Sequence, residues 1–197
     1  MDTIPTNKKS LRKEYLIVRD ALSASARKEK SRAIIDRLTS TKTFLDAEIV
    51  LTYLNFGSEV ITDSLVSRLL STKEKMVFCP RINGDQMDFY QITSLDQLVE
   101  GYWSIREPMP LPGRKFDMTT CLRYQCINIM PGTVFDQNCG RIGYGRGYYD
   151  RFLVAYALVP TVALAFDCQF APAVPTEATD ICPDMIITES AIITNNN

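Results

Sequence analysis

The sequence predicts an α/β fold with a mostly parallel sheet. Apolar, β-branched runs of strand length recur along the 197 residues, and segments with helical spacing of apolar side chains lie between them. Strands that alternate with helices in this way are typical of parallel sheets. The composition is ordinary for a globular chain, at 46% hydrophobic and 23% charged, and we expect a single domain over residues 1–197.

Two amphipathic helices are predicted before the first strand. The first covers residues 7–22, and Ser23 and Ser25 then indicate a break and a new N-cap. The second helix runs to about Leu38, with Ile34 and Ile35 facing inward. The apolar stripe of the first helix consists of Leu11, Tyr15, Val18 and Leu22, with basic side chains around it.

The rest of the chain supplies the strands and the helices that connect them. Strands are predicted at residues 48–54, 75–79, 87–92, 126–130, 161–166 and 185–188. Helices are predicted at residues 61–70, 95–99 and 148–158, and an Asn83-Gly84 turn precedes the third strand. Three prolines between residues 103 and 113 predict an extended segment without regular structure.

In such sheets, ligands bind beyond the carboxyl ends of the strands. The loops after Leu54, Met130 and Phe166 are all expected at that edge. The second of these loops leads directly into the most distinctive part of the sequence.

Residues 140–150, GRIGYGRGYYD, form a glycine-rich segment. Four of the nine glycines of the chain lie within its first eight residues. Glycines let backbone N–H groups approach an anion closely. Arg141 and Arg146 add positive charge, and Asp150 adds a carboxylate that suits magnesium. The spacing matches neither a Walker A loop nor G-x-G-x-x-G. The residues by themselves therefore predict a phosphate site at the start of a helix, or else a tight turn in which Asp150 only stabilises the helix end.

The charge is unevenly distributed. The net charge is −1, which favours neither a nucleic acid nor a membrane as partner. Residues 1–40 carry ten Lys and Arg against five Asp and Glu, and residues 41–197 carry twelve against eighteen. Lys8, Lys9 and Arg12 on the first helix either form a solvated face or reach an anionic ligand.

The cysteines and the missing histidines restrict the chemistry. The six cysteines include no C-x-x-C pair, and the chain has no histidine, which argues against a zinc site. Without histidine, Ser-His-Asp and Cys-His catalysis are excluded. The N-terminus lacks the apolar core of a secretory signal, and no run is long enough to span a membrane. We therefore expect a cytoplasmic protein with reduced thiols.

Four more residues are candidates for the site. Glu59 follows the first predicted strand and is either a neighbour of the next helix's N-cap or a carboxylate in a pocket. Trp103, the single tryptophan, belongs to the core or forms one wall of a ring-binding site. Asp180 and Asp184 flank Cys182-Pro183 and either form a polar turn or contribute to a metal site shared with Asp150.

Over nearly its whole length the sequence resembles the 5-formyltetrahydrofolate cyclo-ligases, also called methenyltetrahydrofolate synthetases. The central motif is Met130-Pro131-Gly132, Phe135-Asp136 and the glycine-rich segment. Further similar positions are Lys8-Lys9-Ser10-Leu11-Arg12, Glu59, Pro80-Arg81, Trp103, Glu107-Pro108, Ala163-Leu164-Ala165-Phe166, Asp180, Asp184 and Ile186-Ile187-Thr188-Glu189. One departure is Thr179, where many relatives carry a histidine.

The resemblance implies a three-layer α/β/α domain and an ATP- and magnesium-dependent reaction. That reaction converts 5-formyltetrahydrofolate to 5,10-methenyltetrahydrofolate, ADP and phosphate through a phosphorylated formyl intermediate. Arg146 and Arg141 would neutralise the phosphates with the help of Lys9, and Asp150 and Asp184 would bind magnesium.

The ligand contacts implied by the resemblance fall into two groups. The ATP contacts are Lys8, Lys9, Ser10, Leu11, Arg12, Arg141, Ile142, Gly143, Tyr144, Gly145, Arg146, Gly147, Tyr148 and Tyr149. The folate contacts are Leu54, Glu59, Tyr144, Gly145, Arg146, Gly147 and Tyr148, with Trp103 as a candidate wall.

We expect a monomer that acts on small molecules. Two other functions stay open at this point. The first is a nucleotide- or RNA-binding module, because arginine, glycine and tyrosine together suit single strands. The second is a relative that acts on another N-formyl heterocycle.

Overall fold

The computed structural model describes residues 7–101 and 104–195. In this part of the chain the strands are β1 (Ile49–Thr52), β2 (Met76–Asn83), β3 (Gln86–Ile92), β4 (Leu98–Glu100), β5 (Arg106–Pro108), β6 (Cys126–Met130), β7 (Val134–Phe135), β8 (Arg141–Ile142), β9 (Thr161–Leu164), β10 (Met185–Ile187) and β11 (Ile192–Thr194). The α-helices are α1 (Lys8–Asp20), α2 (Ala24–Ser40), α3 (Lys42–Asp46), α4 (Asp63–Thr72), α5 (Met118–Arg123) and α6 (Tyr148–Ala155).

The central sheet has seven strands in the order β11-β10-β9-β6-β1-β2-β3. The five inner strands are parallel to one another, and β3 and β11 are antiparallel at the two edges. β4 pairs with β5, and β7 pairs with β8, in two small antiparallel sheets. The predicted α/β fold with a mostly parallel sheet is confirmed.

Alternating side chains of the inner strands fill two cores, one on each face of the sheet. Val50, Ile127 and Ile129 point towards the core that α2, α3 and α4 cover. Leu51 and Met130 point towards the core that α5 and α6 help to cover. Because both faces are buried, the inner strands are apolar throughout, as parallel sheets require. This is the three-layer α/β/α arrangement that the resemblance implied.

The predicted long elements are present, and the differences concern short ones. Residues 95–99, predicted as a helix, form a 3-10 turn, Leu95–Gln97, followed by β4. The proline-rich segment contains β5, whose Pro108 pairs with Leu98 in a two-stranded sheet, where one missing N–H is tolerated. α6 ends at Ala155 instead of residue 158. The elements α3, α5 and β11 were not predicted, because they are too short for a periodic pattern of apolar side chains to be visible in the sequence.

The first helix buries the predicted face at Leu11, Tyr15 and Leu22, but not at Val18. Val18, placed on the apolar stripe, is 41% exposed, whereas Arg19 is only 2% exposed. Leu11 packs with Val134 and Ile142 in a small third cluster at the carboxyl end of the sheet. α1 therefore packs mainly on this third cluster beyond the strands, and Leu22, just after α1, packs against one of the two main cores.

Candidate active site

A cavity of about 920 Å³ lies beyond the carboxyl ends of β1 and β6. All three loops expected there line it: those after β1 and β6, and the one after Phe166 through residues 177–181. The glycine-rich segment and the start of α6 form one wall, and Lys8 and Arg12 of α1 lie against it. The apolar part of the lining consists of Leu54, Phe56, Ile82, Met87, Ile105 and Val154.

A tight turn directs the glycine-rich segment back to this cavity. Asp136 ends the β7 side of the turn, and its buried carboxylate accepts hydrogen bonds from the backbone N–H groups of Asn138, Gly140 and Val174. Three charge-assisted bonds of 2.7–2.9 Å stabilise the turn more than neutral ones would. The chain then re-enters the cavity wall through β8.

The glycines of the segment are needed for its conformation. Gly145 has a φ of +90° and Gly147 a φ of +64°, in the left-handed region that other residues rarely adopt. Gly147 is the N-cap of α6. A Cβ atom on Gly145 would lie only 3.0 Å from the guanidinium of Arg12. The glycines therefore allow α1 and the segment to approach each other closely.

Arg141 and Asp150 form an ion pair on the cavity wall. Nη2 of Arg141 donates to Oδ1 of Asp150 at 3.0 Å, and Nη1 donates to the carbonyl of Pro131 at 3.4 Å. The side chain of Arg141 is 4% exposed, and its Nε has no hydrogen-bond partner among the described residues. The buried hydroxyl of Tyr149 is likewise unpartnered among them, and burial raises its pKa. Unsatisfied buried donors beside a cavity are suited to a polar ligand.

The basic side chains of α1 contact the site from the opposite side. Nε of Arg12 donates to the carbonyl of Gly143 at 2.7 Å. Nζ of Lys8 lies 2.5 Å from Oδ2 of Asp180 and 3.1 Å from the Glu177 carboxylate. Burial by itself would raise the pKa of Asp180, but the hydrogen bond from Lys8 lowers it below its usual value. Asp180 is therefore a carboxylate on the cavity wall.

Glu59 also lines the cavity and is only 5% exposed. Its Oε2 accepts a hydrogen bond from the backbone N–H of Phe56 at 2.8 Å. Burial raises the pKa of Glu59 to about 7, even though Phe56, Arg19 and Tyr144 favour the ionised form. Burial also raises the pKa of Tyr144 to about 12, so its hydroxyl stays protonated. The cavity thus has an apolar wall with two buried acidic residues, Glu59 and Glu107.

The match to a known family covers nearly the whole chain. Residues 5–189 match the model of the 5-formyltetrahydrofolate cyclo-ligase family. The chain belongs to this family. It is therefore an enzyme of the carbon–nitrogen ligase class, and the family implies the use of ATP.

Individual relatives agree with this assignment. The 5-formyltetrahydrofolate cyclo-ligase of Mus musculus is 27% identical over 96% of this chain and 97% of its own. A probable 5-formyltetrahydrofolate cyclo-ligase of Caenorhabditis elegans is 26% identical over 98% of each chain. The NMR structure of the 5,10-methenyltetrahydrofolate synthetase of Aquifex aeolicus superposes with a TM-score of 0.84 at 29% identity, covering 96% of this chain and 93% of that one.

The structure brings most of the predicted cyclo-ligase residues to one cavity. The predicted site residues that line it are Lys8, Arg12, Leu54, Glu59, Arg141, Ile142, Gly143, Tyr144, Gly145, Arg146, Gly147, Tyr148, Tyr149 and Asp150. Lys9, Ser10 and Leu11 do not line it. Lys9 is exposed, Ser10 donates to the N-cap side chain of Asn7, and Leu11 is buried in the third cluster. Trp103 lies outside the described residues.

The two aspartates predicted to bind magnesium are not brought together. Asp150 lines the cavity, whereas Asp184 lies just before β10, at the amino end of the sheet, and does not line it. Oδ2 of Asp184 accepts hydrogen bonds from the N–H and the hydroxyl of Thr161, both at 2.7 Å. Asp180 lies on the cavity instead, and the neighbouring Ile181 N–H donates to Oδ1 of Asp150 at 3.3 Å.

Sequence reasoning missed one contributor, Arg19, and left another, Asp180, undecided. Arg19 resembles the other solvated cations of α1 in the sequence, and only its position eleven residues after Lys8, on the same helix face, could have indicated it. Asp180 was considered, but nothing in the spacing favoured it over Asp184. No helix among the described residues is long and apolar enough to cross a bilayer.

Proposed function

We propose that this protein converts 5-formyltetrahydrofolate to 5,10-methenyltetrahydrofolate while it cleaves ATP to ADP and phosphate. The observation that supports this most directly is the mixed lining of one cavity. Arginines and glycine backbone line it together with an apolar wall and buried carboxylates. A reaction between a triphosphate and a ring system requires both kinds of surface within one cavity.

The triphosphate is assigned to the glycine-rich segment. Four of the cations that line the cavity lie in or beside this segment: Lys8, Arg12, Arg141 and Arg146. Helix α6 begins at the segment and has Asp150 in its first turn. Arginine presents a rigid fork of donors that matches phosphate oxygens, and a helix N-terminus adds favourable partial charge. Arg146 and Arg141 are therefore the residues we expect to neutralise the transferred phosphoryl group. Lys9, which the resemblance also implied, is exposed and away from the cavity.

The folate ring is assigned to the part of the cavity that contains Glu59. The pterin ring is flat and apolar on its faces, which suits the wall formed by Leu54 and Phe56. One edge of the ring carries two adjacent N–H donors, which a carboxylate can accept together. Glu59 is a buried carboxylate of the lining, in the same loop as Leu54 and Phe56. Glu107, the other one among the described residues, accepts from the N–H of Ile82 and pairs with Arg81.

The chemistry requires positioning more than proton transfer. The formyl oxygen attacks the γ-phosphorus of ATP, and the bond to ADP breaks. N10 of the folate then attacks the activated formyl carbon and loses its proton, and the bond from that carbon to the phosphorylated oxygen breaks. Phosphate leaves as the ring closes. Fixed cations and backbone N–H groups stabilise the charge that develops on the phosphoryl oxygens, so the absence of histidine is no obstacle.

Magnesium fits the site only together with ATP. No cluster of three or more Asp, Glu, Cys or His side chains suited to a metal occurs among the described residues. Asp150 and Asp180 use Oδ1 and Oδ2, respectively, in their hydrogen bonds to the protein, which leaves the second oxygen of each available. Mg²⁺ commonly takes one or two carboxylates and completes its shell with phosphates and water. It would supply charge neutralisation for the triphosphate there.

The test is an absorbance assay with the purified protein, 5-formyltetrahydrofolate, ATP and magnesium. We expect the absorbance band of the methenyl product to appear, with ADP formed in equal amount and with no band if ATP or metal is omitted. Binding of both ligands without product would contradict the proposed reaction and indicate another N-formyl acceptor. Salt-dependent binding of oligonucleotides, with no binding of folate, would indicate a nucleic-acid-binding module instead.

A further inference from the structure

Arg19 is a buried cation next to the proposed folate site. It lies in the last turn of α1 and is 2% exposed, although arginine is rarely so deeply buried without an ionic partner. Among the described residues no carboxylate oxygen forms an ion pair with it at 4 Å or less. Burying an unpaired guanidinium is unfavourable, so its position calls for another explanation than stability.

The hydrogen bonds of Arg19 join three segments that form the site. Nε donates to the hydroxyl of Ser58 in the loop after β1, at 2.8 Å. Nη1 donates to the carbonyl of Gly132, after β6, at 3.3 Å. Nη2 donates to the hydroxyl of Tyr144 in the glycine-rich segment, at 2.8 Å, and the guanidinium lies 5.8 Å from the centre of the Tyr144 ring. The side chain of Arg19 thus connects the loop after β1, the loop after β6 and the glycine-rich segment.

Tyr144 carries the connection on to Glu59. Its hydroxyl accepts from Arg19 and favours the ionised form of the nearby Glu59 carboxylate. Ser58, which also accepts from Arg19, directly precedes Glu59 and donates to Asp20 of α1. Hydrogen bonds in series polarise one another in a buried environment. Arg19 is therefore coupled to Glu59 through both neighbours without touching it.

The other groups that face Glu59 cannot replace this cation. Two tyrosines lie near Glu59: Tyr53, directly after β1, and Tyr149 in α6. Both hydroxyls are buried, and burial raises the pKa of each. Asp20 accepts a hydrogen bond from Ser58 and supplies no positive charge. Three groups favour the ionised form of Glu59: the Arg19 guanidinium, the Tyr144 hydroxyl and the Phe56 N–H. Of these three, Arg19 carries the positive charge.

We propose that Arg19 is a positioning residue that, through Tyr144 and Ser58, keeps Glu59 ionised and directed towards the folate ring. This inference rests on the proposed function for the identity of the ligand, but not for the coupling between Arg19 and Glu59. Protonated Glu59 offers one acceptor fewer to the two N–H donors of the ring, so folate binds best to the ionised form. Arg19 itself contacts no substrate in this assignment.

The coupling is measured without substrate, by NMR titration of protein labelled with ¹³C at the glutamate carboxyl carbon. The Glu59 signal is assigned by its loss in Glu59→Gln. Replacing the cation in Arg19→Gln should raise the pKa of Glu59 by about one pH unit, whereas Arg19→Lys should leave it near the wild-type value. Arg32→Gln, which removes an exposed arginine of α2, should change nothing. An unchanged titration of Glu59 in Arg19→Gln would overturn the proposal.

Folate binding gives the second readout, by calorimetry with 5-formyltetrahydrofolate between about pH 6 and pH 9. In Arg19→Gln the affinity should fall about fivefold near neutral pH, because a pKa raised by about one leaves roughly a tenth of Glu59 ionised there instead of roughly half. The affinity should recover at high pH, where Glu59 is ionised in both proteins. A loss of equal size at every pH would show a merely structural role and contradict the proposal. No folate binding by the wild type would overturn the proposed function, while the NMR result would still decide the coupling.

If Arg19→Gln does not fold, Tyr144→Phe tests the same connection with the cation retained. Removing the hydroxyl breaks the link to Glu59, so the pKa of Glu59 should again rise. A Glu59 titration identical to that of the wild type in Tyr144→Phe would overturn the proposal.

Discussion

Arg146 illustrates how an exposed residue can be important for function and unimportant for the fold. It lies on the cavity wall in the exposed part of the glycine-rich segment, where a cation can neutralise charge that develops during phosphoryl transfer. The sequence already singled it out, because glycines, arginines and a carboxylate coincide in the glycine-rich segment. Its contribution should therefore appear in the rate and hardly in the stability.

We expect Arg146→Ala to lower kcat by about two to three orders of magnitude, as the loss of one stabilising donor does in comparable sites. The thermal unfolding curve should stay close to that of the wild type. Steady-state kinetics and circular dichroism measure the two effects. Arg32→Ala, which removes an exposed arginine away from the cavity, is the matched control. Near-normal turnover in Arg146→Ala would contradict the assigned role.

Asp180 and Asp184 are four residues apart and have different surroundings. Asp180 lies on the cavity beside Lys8, whereas Asp184 accepts two hydrogen bonds from Thr161 at the start of β9. Asp180→Asn should raise the magnesium concentration needed for half-maximal activity at least tenfold. Asp184→Ala should leave that concentration unchanged and lower the free energy of unfolding by about 1 kcal/mol.

Magnesium titrations of activity and urea unfolding of the same two variants separate these effects. Asp180→Asn with the magnesium dependence of the wild type would remove Asp180 from the proposed metal site. A shifted magnesium dependence in Asp184→Ala would instead support the pair that the family resemblance implied.

At the scale of elements, the contact between α1 and the glycine-rich segment decides the shape of the proposed phosphate site. Gly145 combines a φ of +90° with a close approach to Arg12, which in turn donates to the carbonyl of Gly143. Gly113 has a φ of +71°, but no atom lies within 4 Å of the place that a Cβ atom would occupy there. The two glycines therefore differ in their surroundings and not in their backbone strain.

We expect Gly145→Ala to weaken ATP binding at least tenfold, because the added methyl group displaces Arg12. Gly113→Ala should leave ATP binding unchanged. Both variants should lose about 1 kcal/mol of unfolding free energy from the left-handed conformation. Calorimetric ATP titration and urea unfolding test this pair. Equal ATP affinities in the two variants would show that the contact with α1 has no functional consequence.

At the scale of the whole molecule, the buried carboxylate of Glu59 lowers the stability that the fold could reach. Its pKa is about 7 in the folded protein against an ordinary value of 4.5, so between these values the folded state binds more protons than the unfolded state. Stability from this group is therefore fully present below pH 4.5 and is lost as the pH rises to 7. The difference in pKa corresponds to about 3 kcal/mol.

Glu59→Gln removes this titration. We expect the variant to be more stable than the wild type at about pH 8, by up to about 3 kcal/mol, and the difference to disappear near pH 4.5. Urea unfolding at several pH values measures it. A stability difference that does not depend on pH would show that Glu59 has an ordinary pKa in the folded protein.

The sequence by itself determined the layered α/β fold and singled out the glycine-rich segment that lines the cavity. Inner strands such as β6 are apolar throughout because both faces of the sheet are covered, and apolar runs of strand length are visible without tertiary information. The glycine-rich segment is equally visible because its conformation and its charge depend on residues that are neighbours in the chain. Both features are local, so local patterns were enough.

Only the tertiary structure decided which side chains from distant segments meet. Arg19 is buried in place of Val18 because of the way α1 packs beside the cavity. Asp180 lines the cavity and Asp184 does not, because the chain leaves the cavity between them to enter β10. Lys9 and Arg12 are alike in sequence, yet one is exposed and the other contacts Gly143. Contacts between residues more than a hundred positions apart are set by the packing of whole elements, and no local pattern encodes them.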